Sequence, residues 1–236
     1  LLDAQILGSL ALVASAAHRL ATDVRLLANR REVEEPFEST QIGSSAMAYK
    51  RNPMRSERIC ALSRFVMNLP ANAYQTAAVQ WFERTLDDSA NRRLVLPEAC
   101  LALDGTLDLL INITNGMVVH EPVITANLMA ELPFMMTEDL LMAAVQAGGD
   151  RQELHEVIRS LSMEAAASVK QGGPNDLLDR LRTDSRFSGL DLDTLADPGL
   201  FVGRAPQQVD QFMESVVAPI ASRWGSVATN QVELRV

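Results

Sequence analysis

Residues 5–27 read QILGSLALVASAAHRLATDVRLL, and within them Ile6, Leu10, Val13, Ala17, Leu20, Val24 and Leu27 keep a strict 4-3 alternation over three heptads. That spacing lays an apolar seam along one side of a helix and predicts a long bundle helix. Arg30 and Arg31 lie near its C-terminal end, favourable against the helix dipole, and Pro36 is the expected stop. A second stretch repeats the pattern at Leu96, Cys100, Leu103, Leu107, Leu110, Thr114 and Met117, with Gly116 near its end and Pro97 marking a start or a kink. Two heptad-patterned helices in one chain predict a bundle that extends across subunits.

Working outward, Glu38 to Pro53 has no usable period and reads as a long loop, followed by a helix from Met54 to Asn68 and a short one over Ala71 to Val79. Beyond His120-Glu121-Pro122 the helices shorten. Thr137-Glu138-Asp139 is expected to cap one that ends at Gly148-Gly149, and Arg151 to Lys170 forms another before Gly172-Gly173-Pro174. Asn175-Asp176 opens a further helix. Pro206 to Ile220 forms a last amphipathic one, with Val209, Phe212, Met213, Val216 and Val217 on one face. Strand patterns are nearly absent. The expected fold is all-α: a long-helix bundle over 1–119 and a smaller helical domain over 120–236.

The 236 residues are 47% hydrophobic and carry a net charge of −9, enough apolar material for a sizeable core. The acidic balance disfavours nucleic-acid binding, and no apolar run of about 18 residues is present to span a bilayer. Cys60 and Cys100 have no spacing that suggests a disulfide framework or a metal site, so a reducing, cytoplasmic setting is expected. The opening Leu1-Leu2-Asp3 has neither a methionine nor a signal-type n-region, and the chain reads as cut from something longer.

Against that acidic background, Lys50, Arg51, Arg55, Arg58 and Arg64 face only Glu57 between Ser44 and Arg64, a local net charge of +4. Two readings stay open: an anion site, or a solvated helix face whose arginines pair with acids elsewhere.

The loop itself reads Gln41-Ile42-Gly43-Ser44-Ser45-Ala46-Met47-Ala48-Tyr49-Lys50-Arg51-Asn52-Pro53. Its Gly-Ser-Ser-x-Met-x-x-Lys-x-Asn-Pro core resembles the signature of the fumarase/aspartase superfamily, whose members break C–N or C–O bonds by β-elimination, most releasing fumarate. The extension through Met54-Arg55-Ser56-Glu57-Arg58, and the run Gln80-Trp81-Phe82-Glu83-Arg84-Thr85-Leu86-Asp87-Asp88-Ser89-Ala90-Asn91-Arg92-Arg93, resemble the eukaryotic type of the adenylosuccinate lyase family. The similarity runs along the whole chain.

The resemblance implies two purine-biosynthesis eliminations: adenylosuccinate to AMP plus fumarate, and succinyl-carboxamide ribotide (SAICAR) to carboxamide ribotide (AICAR) plus fumarate. It implies no cofactor and no metal. Elimination needs a base for a weakly acidic carbon-bound proton, donors for the aci-carboxylate that develops, and an acid for the leaving nitrogen. On the motif the base is Ser44, which needs loop closure and nearby donors to become an alkoxide, with Gly43 and Ser45 as a hinge. Taken alone, Gly-Ser-Ser also reads as a flexible linker.

Lys50 and Asn52 match the charge-stabilising positions, and Glu57 a position that orients the acid histidine. Ser45, Met47 and Arg58 match substrate-binding positions, and Arg84, Ser89 and Arg93 those that hold the nucleotide phosphate. Without the resemblance each reads as an ordinary solvated or capping residue. Ala48 departs from the common proline of the motif, which loosens the loop without removing a functional group. The acid histidine of the family falls in a region preceding Leu1, so none of His18, His120 and His155 is assigned to catalysis.

The family's homotetramers share a central bundle and build each active site from three subunits, which the heptad seams suit. On this reading the chain carries the second half of the central domain plus the C-terminal domain, and is inactive alone. Two alternatives remain: a fumarate-releasing lyase of the argininosuccinate type, and a non-catalytic helical assembly module.

Overall fold

The computed structural model describes residues 1–37, 47, 49–79, 82, 86–225 and 227. They form two compact units, Leu1–Glu121 and Pro122–Thr229. The architecture is all-α, with a single two-stranded bridge among the described residues.

In the first unit, α1 (Leu2–Asn29), α2 (Met54–Asn68) and α4 (Asp87–Gly116) pack along one another, and α3 (Pro70–Ala78) closes one end. The core is layered along the bundle. Ala4 and Leu7 meet Leu69, Ala73, Val95 and Ala99 at one end; Ala14 meets Val66 and Leu103 in the middle; Ala17, Ala21 and Val24 meet Ile59, Cys60, Leu109 and Ile113 at the other. The alanines of α1 let the helices approach closely.

The predicted seams are only partly the buried ones. On α1, Ala17 and Val24 are buried and Leu10 half-buried, but Ile6, Val13, Leu20 and Leu27 lie 37–43% exposed. The helix carries two apolar stripes, and a heptad count cannot tell which one its own chain covers. On α4 the seam is displaced. Cys100, Thr114 and Met117 are exposed, while Val95, Ala99, Leu103, Thr106, Leu109 and Ile113 face inward. A small alanine and a threonine fill inner positions that a hydrophobic count assigns to larger neighbours, and the Thr106 hydroxyl donates to the Ala102 carbonyl at 2.8 Å. Pro97 neither starts α4 nor ends it; the helix runs through it.

Pro36 does not stop α1 either. Arg31 turns the chain with φ +61°, and the Glu32 N–H bonds back to the Leu27 carbonyl at 3.0 Å. The chain then enters β1 (Val33–Glu34), which pairs antiparallel with β2 (Val118–Val119), Val33 opposite Val119. Arg30 pairs with Glu32 at 2.7 Å.

In the second unit, α5 (Glu121–Met135), α6 (Thr137–Gln146), α7 (Arg151–Lys170), α8 (Leu177–Thr183) and α9 (Leu192–Leu195) follow. Leu140, Leu154, Ile158, Ala165, Leu177, Leu181 and Phe187 form a common core. Asp150 caps α7 by accepting from the Gln152 and Glu153 N–H groups at 3.0 and 2.9 Å. Thr137 is no cap: its hydroxyl donates backwards to the Phe134 carbonyl at 2.9 Å. Gly148 at φ +100° and Gly172 at φ +86° end α6 and α7 in the left-handed region. The last amphipathic helix is α10 (Ala205–Phe212), a π-helical turn Met213–Val217, and α11 (Ala218–Trp224). Its Val209, Phe212, Met213, Val216 and Ile220 are exposed.

Candidate active site

The signature residues that the structure describes gather where the chain enters α2. Pro53 sits at the N-cap position with no side chain able to cap, and the Glu57 N–H gives the first helical bond to the Pro53 carbonyl at 3.0 Å. The Met54 N–H folds back to the Asn52 carbonyl at 2.8 Å, and the Lys50 N–H donates to the Met47 carbonyl at 3.0 Å. Lys50, Asn52, Glu57 and Arg58 are all exposed, and Met47 is partly so. Two cations, Lys50 and Arg58, an amide and a carboxylate thus stand in solvent where the chain enters α2. Ser44, Ser45 and Arg84 lie outside the described residues.

The local positive charge is less available than its count implies, because two of the five cations are engaged within the protein. Arg55 is buried, and its Nη1 donates to the Pro36 carbonyl at 2.5 Å. Arg51 donates to Glu34 Oε2 at 2.9 Å and lies over the Phe37 ring at 4.7 Å. Lys50, Arg58 and Arg64 are exposed, as is Arg51 although Glu34 holds it. Glu34, the acid that pairs with Arg51, stands just outside the window in which the charge was counted, in Glu32-Val33-Glu34-Glu35.

Glu35 is the residue that sequence reasoning missed. Buried, it accepts the Arg55 N–H on Oε2 at 3.0 Å and the Ser56 N–H on Oε1 at 2.6 Å. The two amides an anion would ordinarily use at this helix N-terminus are therefore taken by the protein itself. The signal in the sequence was an acidic run ahead of a helix with proline at its N-cap. His120, left unassigned, has Nε2 3.5 Å from Glu34 Oε1. His18 is half-buried, its carbonyl accepting the Thr22 hydroxyl at 2.8 Å, and His155 is exposed.

Ser89 and Arg93 stand elsewhere. They occupy successive turns at the N-terminal end of α4, Ser89 half-buried and Arg93 exposed. The neighbouring Arg92 and Asn91 reach Asp3 of α1 and Asn72 of α3, at the end of the bundle opposite the α2 entrance. From Arg93 to Ile113, which packs beside Ile59 near that entrance, is about 20 helical residues, or roughly 30 Å. Within one chain the two groups cannot touch the same nucleotide.

Among the described residues no group of His, Cys, Asp and Glu is placed to hold a metal ion, and no helix is long and apolar enough to cross a membrane.

Comparison with known proteins finds relatives along most of the chain. Residues 3–68 match a family described as "Lyase", and residues 133–212 one described as "Adenylosuccinate lyase C-terminus". The chain is 52% identical over 233 residues to an adenylosuccinate lyase of Schizosaccharomyces pombe and 55% identical over 219 residues to that of Saccharomyces cerevisiae. Those matches cover 98% and 92% of this chain but 48% and 45% of the relatives, so the chain spans about half their length. A 3-carboxy-cis,cis-muconate lactonizing enzyme from Pseudomonas putida has the same fold, with a TM-score of 0.75 at 25% identity over 89% of this chain and 46% of that one. A fumarate lyase from Mesorhizobium sp. BNC1 shares the fold with a TM-score of 0.70 at 24% identity, over 90% of this chain and 46% of that one. The chain belongs to the adenylosuccinate lyase family.

Proposed function

We propose that the chain is part of an adenylosuccinate lyase, eliminating fumarate from adenylosuccinate to give AMP and from SAICAR to give AICAR. The observation that carries this is Lys50, Asn52, Glu57 and Arg58 together at the α2 entrance, in a chain 55% identical to the yeast enzyme.

In the proposed reaction Ser44, as alkoxide, takes the proton from the carbon beside a succinyl carboxylate. The electron pair moves through the aci-carboxylate, and the C–N bond breaks. Lys50 and Asn52 hold the carboxylate on which negative charge grows, so they stabilise the transition state more than the ground state. The leaving nitrogen receives its proton from an acid in a region preceding Leu1, oriented by Glu57. Ser45, Met47 and Arg58 bind the substrate; Arg84, Ser89 and Arg93 hold the phosphate. No cofactor takes part.

The working unit in this reading is a homotetramer with active sites shared between subunits. The roughly 30 Å between Arg93 and the α2 entrance supports it, because the phosphate site of one chain must serve another's base. The exposed stripe Ile6, Val13, Leu20 and Leu27 supplies an apolar face for such a bundle. We take residues 1–119 as the second half of the central domain and 120–236 as the C-terminal domain. A cytoplasmic location suits the two free cysteines.

The test against an argininosuccinate-type lyase is nucleotide affinity: replacing Arg84 and Arg93 with alanine should weaken AMP binding at least about tenfold, one charge-assisted contact's worth. Unchanged AMP affinity defeats the assignment.

A further inference from the structure

We infer that Glu35 is a positioning residue for the candidate site: it caps α2 across the chain and so fixes where Lys50 and Asn52 stand. The inference rests on the lyase reading above.

A helix that opens with proline at its N-cap has no local side chain to satisfy the N–H groups of its first turn. Here the acceptor comes from about 20 residues upstream, the Glu35 carboxylate taking the amides of Arg55 and Ser56, one on each oxygen. Its negative charge also opposes the positive end of the helix dipole. Ser56 is fully buried, so water cannot replace Glu35 at that amide.

Segment 33–37 is itself anchored. Val33 pairs with Val119, and the His120 N–H donates to the Glu32 carbonyl at 2.9 Å. Pro36 packs against Gly116, and its carbonyl takes Arg55 Nη1. On the exposed side Glu34 and Phe37 hold the Arg51 guanidinium. Lys50 and Asn52 flank that held arginine, and the Asn52 carbonyl is tied to the first residue of α2. The two candidate substrate groups therefore inherit their positions from a strap that lies outside the signature motif. Misplacement by about 1 Å is enough to cost a hundredfold in rate.

The experiment compares wild type, Glu35→Gln, Glu35→Asp and Lys50→Ala in protein carrying this chain at the full length of its family, with adenylosuccinate, at a temperature where circular dichroism shows each variant folded. Glu35→Gln is expected to lower kcat by about tenfold to a hundredfold with a smaller change in KM. It should also speed hydrogen exchange at the Arg55 and Ser56 amides. Glu35→Asp, which keeps both acceptor oxygens, should recover part of the rate. A Glu35→Gln variant with a lowered Tm but unchanged kcat and KM overturns the inference and leaves the lyase reading standing. A wild type without turnover, on which Lys50→Ala has no effect, overturns both.

Discussion

Gly116, the last residue of α4, lies against Pro36: a Cβ built on Gly116 would come within 2.7 Å of the Pro36 Cβ. The proline cannot easily retreat, because its carbonyl receives the Arg55 guanidinium. Gly116→Ala should therefore destabilise the protein by roughly 1 kcal/mol or more, although alanine is the better helix former by about 1 kcal/mol. The midpoint of urea unfolding measures it. A variant as stable as wild type would mean the strap yields freely.

The separation of Arg93 from the α2 entrance makes a second expectation. Lys50→Ala and Arg93→Ala proteins, each nearly inactive, should regain a clear fraction of wild-type turnover when unfolded together and refolded as mixed oligomers. Sites assembled from different chains then include some with both residues intact. Mixtures no better than their parents would place both residues in a single chain's site and contradict the shared-site account.

The stripe of α1 that its own chain leaves uncovered gives a third. Val13 is 43% exposed, so Val13→Asp costs a lone chain little. If the stripe is a subunit seam, burying that carboxylate is costly and the oligomer should dissociate. Light scattering is expected to show a smaller species with helicity retained; an unchanged mass would put the seam elsewhere.

Acid stability should depend on the second unit's ion pairs. The hydrogen bond from the Arg186 guanidinium holds the Asp184 carboxyl below its ordinary range, against an opposing effect of burial. Arg180 does the same for Asp176, and Arg159 for Glu156. A carboxyl whose folded pKa is depressed stabilises the fold fully above its unfolded pKa, near 4, and loses that contribution as pH falls through the lower folded value. Arg186→Met should lower Tm at neutral pH modestly and flatten the decline below about pH 4. An identical acid limb in the variant would show that the pair contributes nothing.

The helix pattern was legible because periodicity, prolines and glycines are local signals: Met54 to Asn68 and Arg151 to Lys170 could be read off directly. Which face each helix buries was less so. Leu20 and Leu27 look like core residues to any hydrophobic count, yet this chain leaves them exposed, while the buried Thr106 looks like surface. The signature gave Lys50, Asn52, Glu57 and Arg58 by type and spacing. What holds them was not legible, because Glu35 acts on Arg55 and Ser56 across a turn of chain, and nothing in the spacing pairs Glu34 with Arg51. Nor could the spacing show that Ser89 and Arg93 fall at the far end of the bundle, which follows only from the course of α4.

The most direct test of the central claim is fumarate release from adenylosuccinate, followed by ultraviolet absorbance together with AMP formation, for wild type and Ser44→Ala in protein carrying this chain at the full length of its family. The account predicts fumarate and AMP in equal amounts from wild type, and a loss of about a hundredfold to ten-thousandfold in Ser44→Ala with the fold intact. No fumarate from wild type, or full activity in Ser44→Ala, would contradict it.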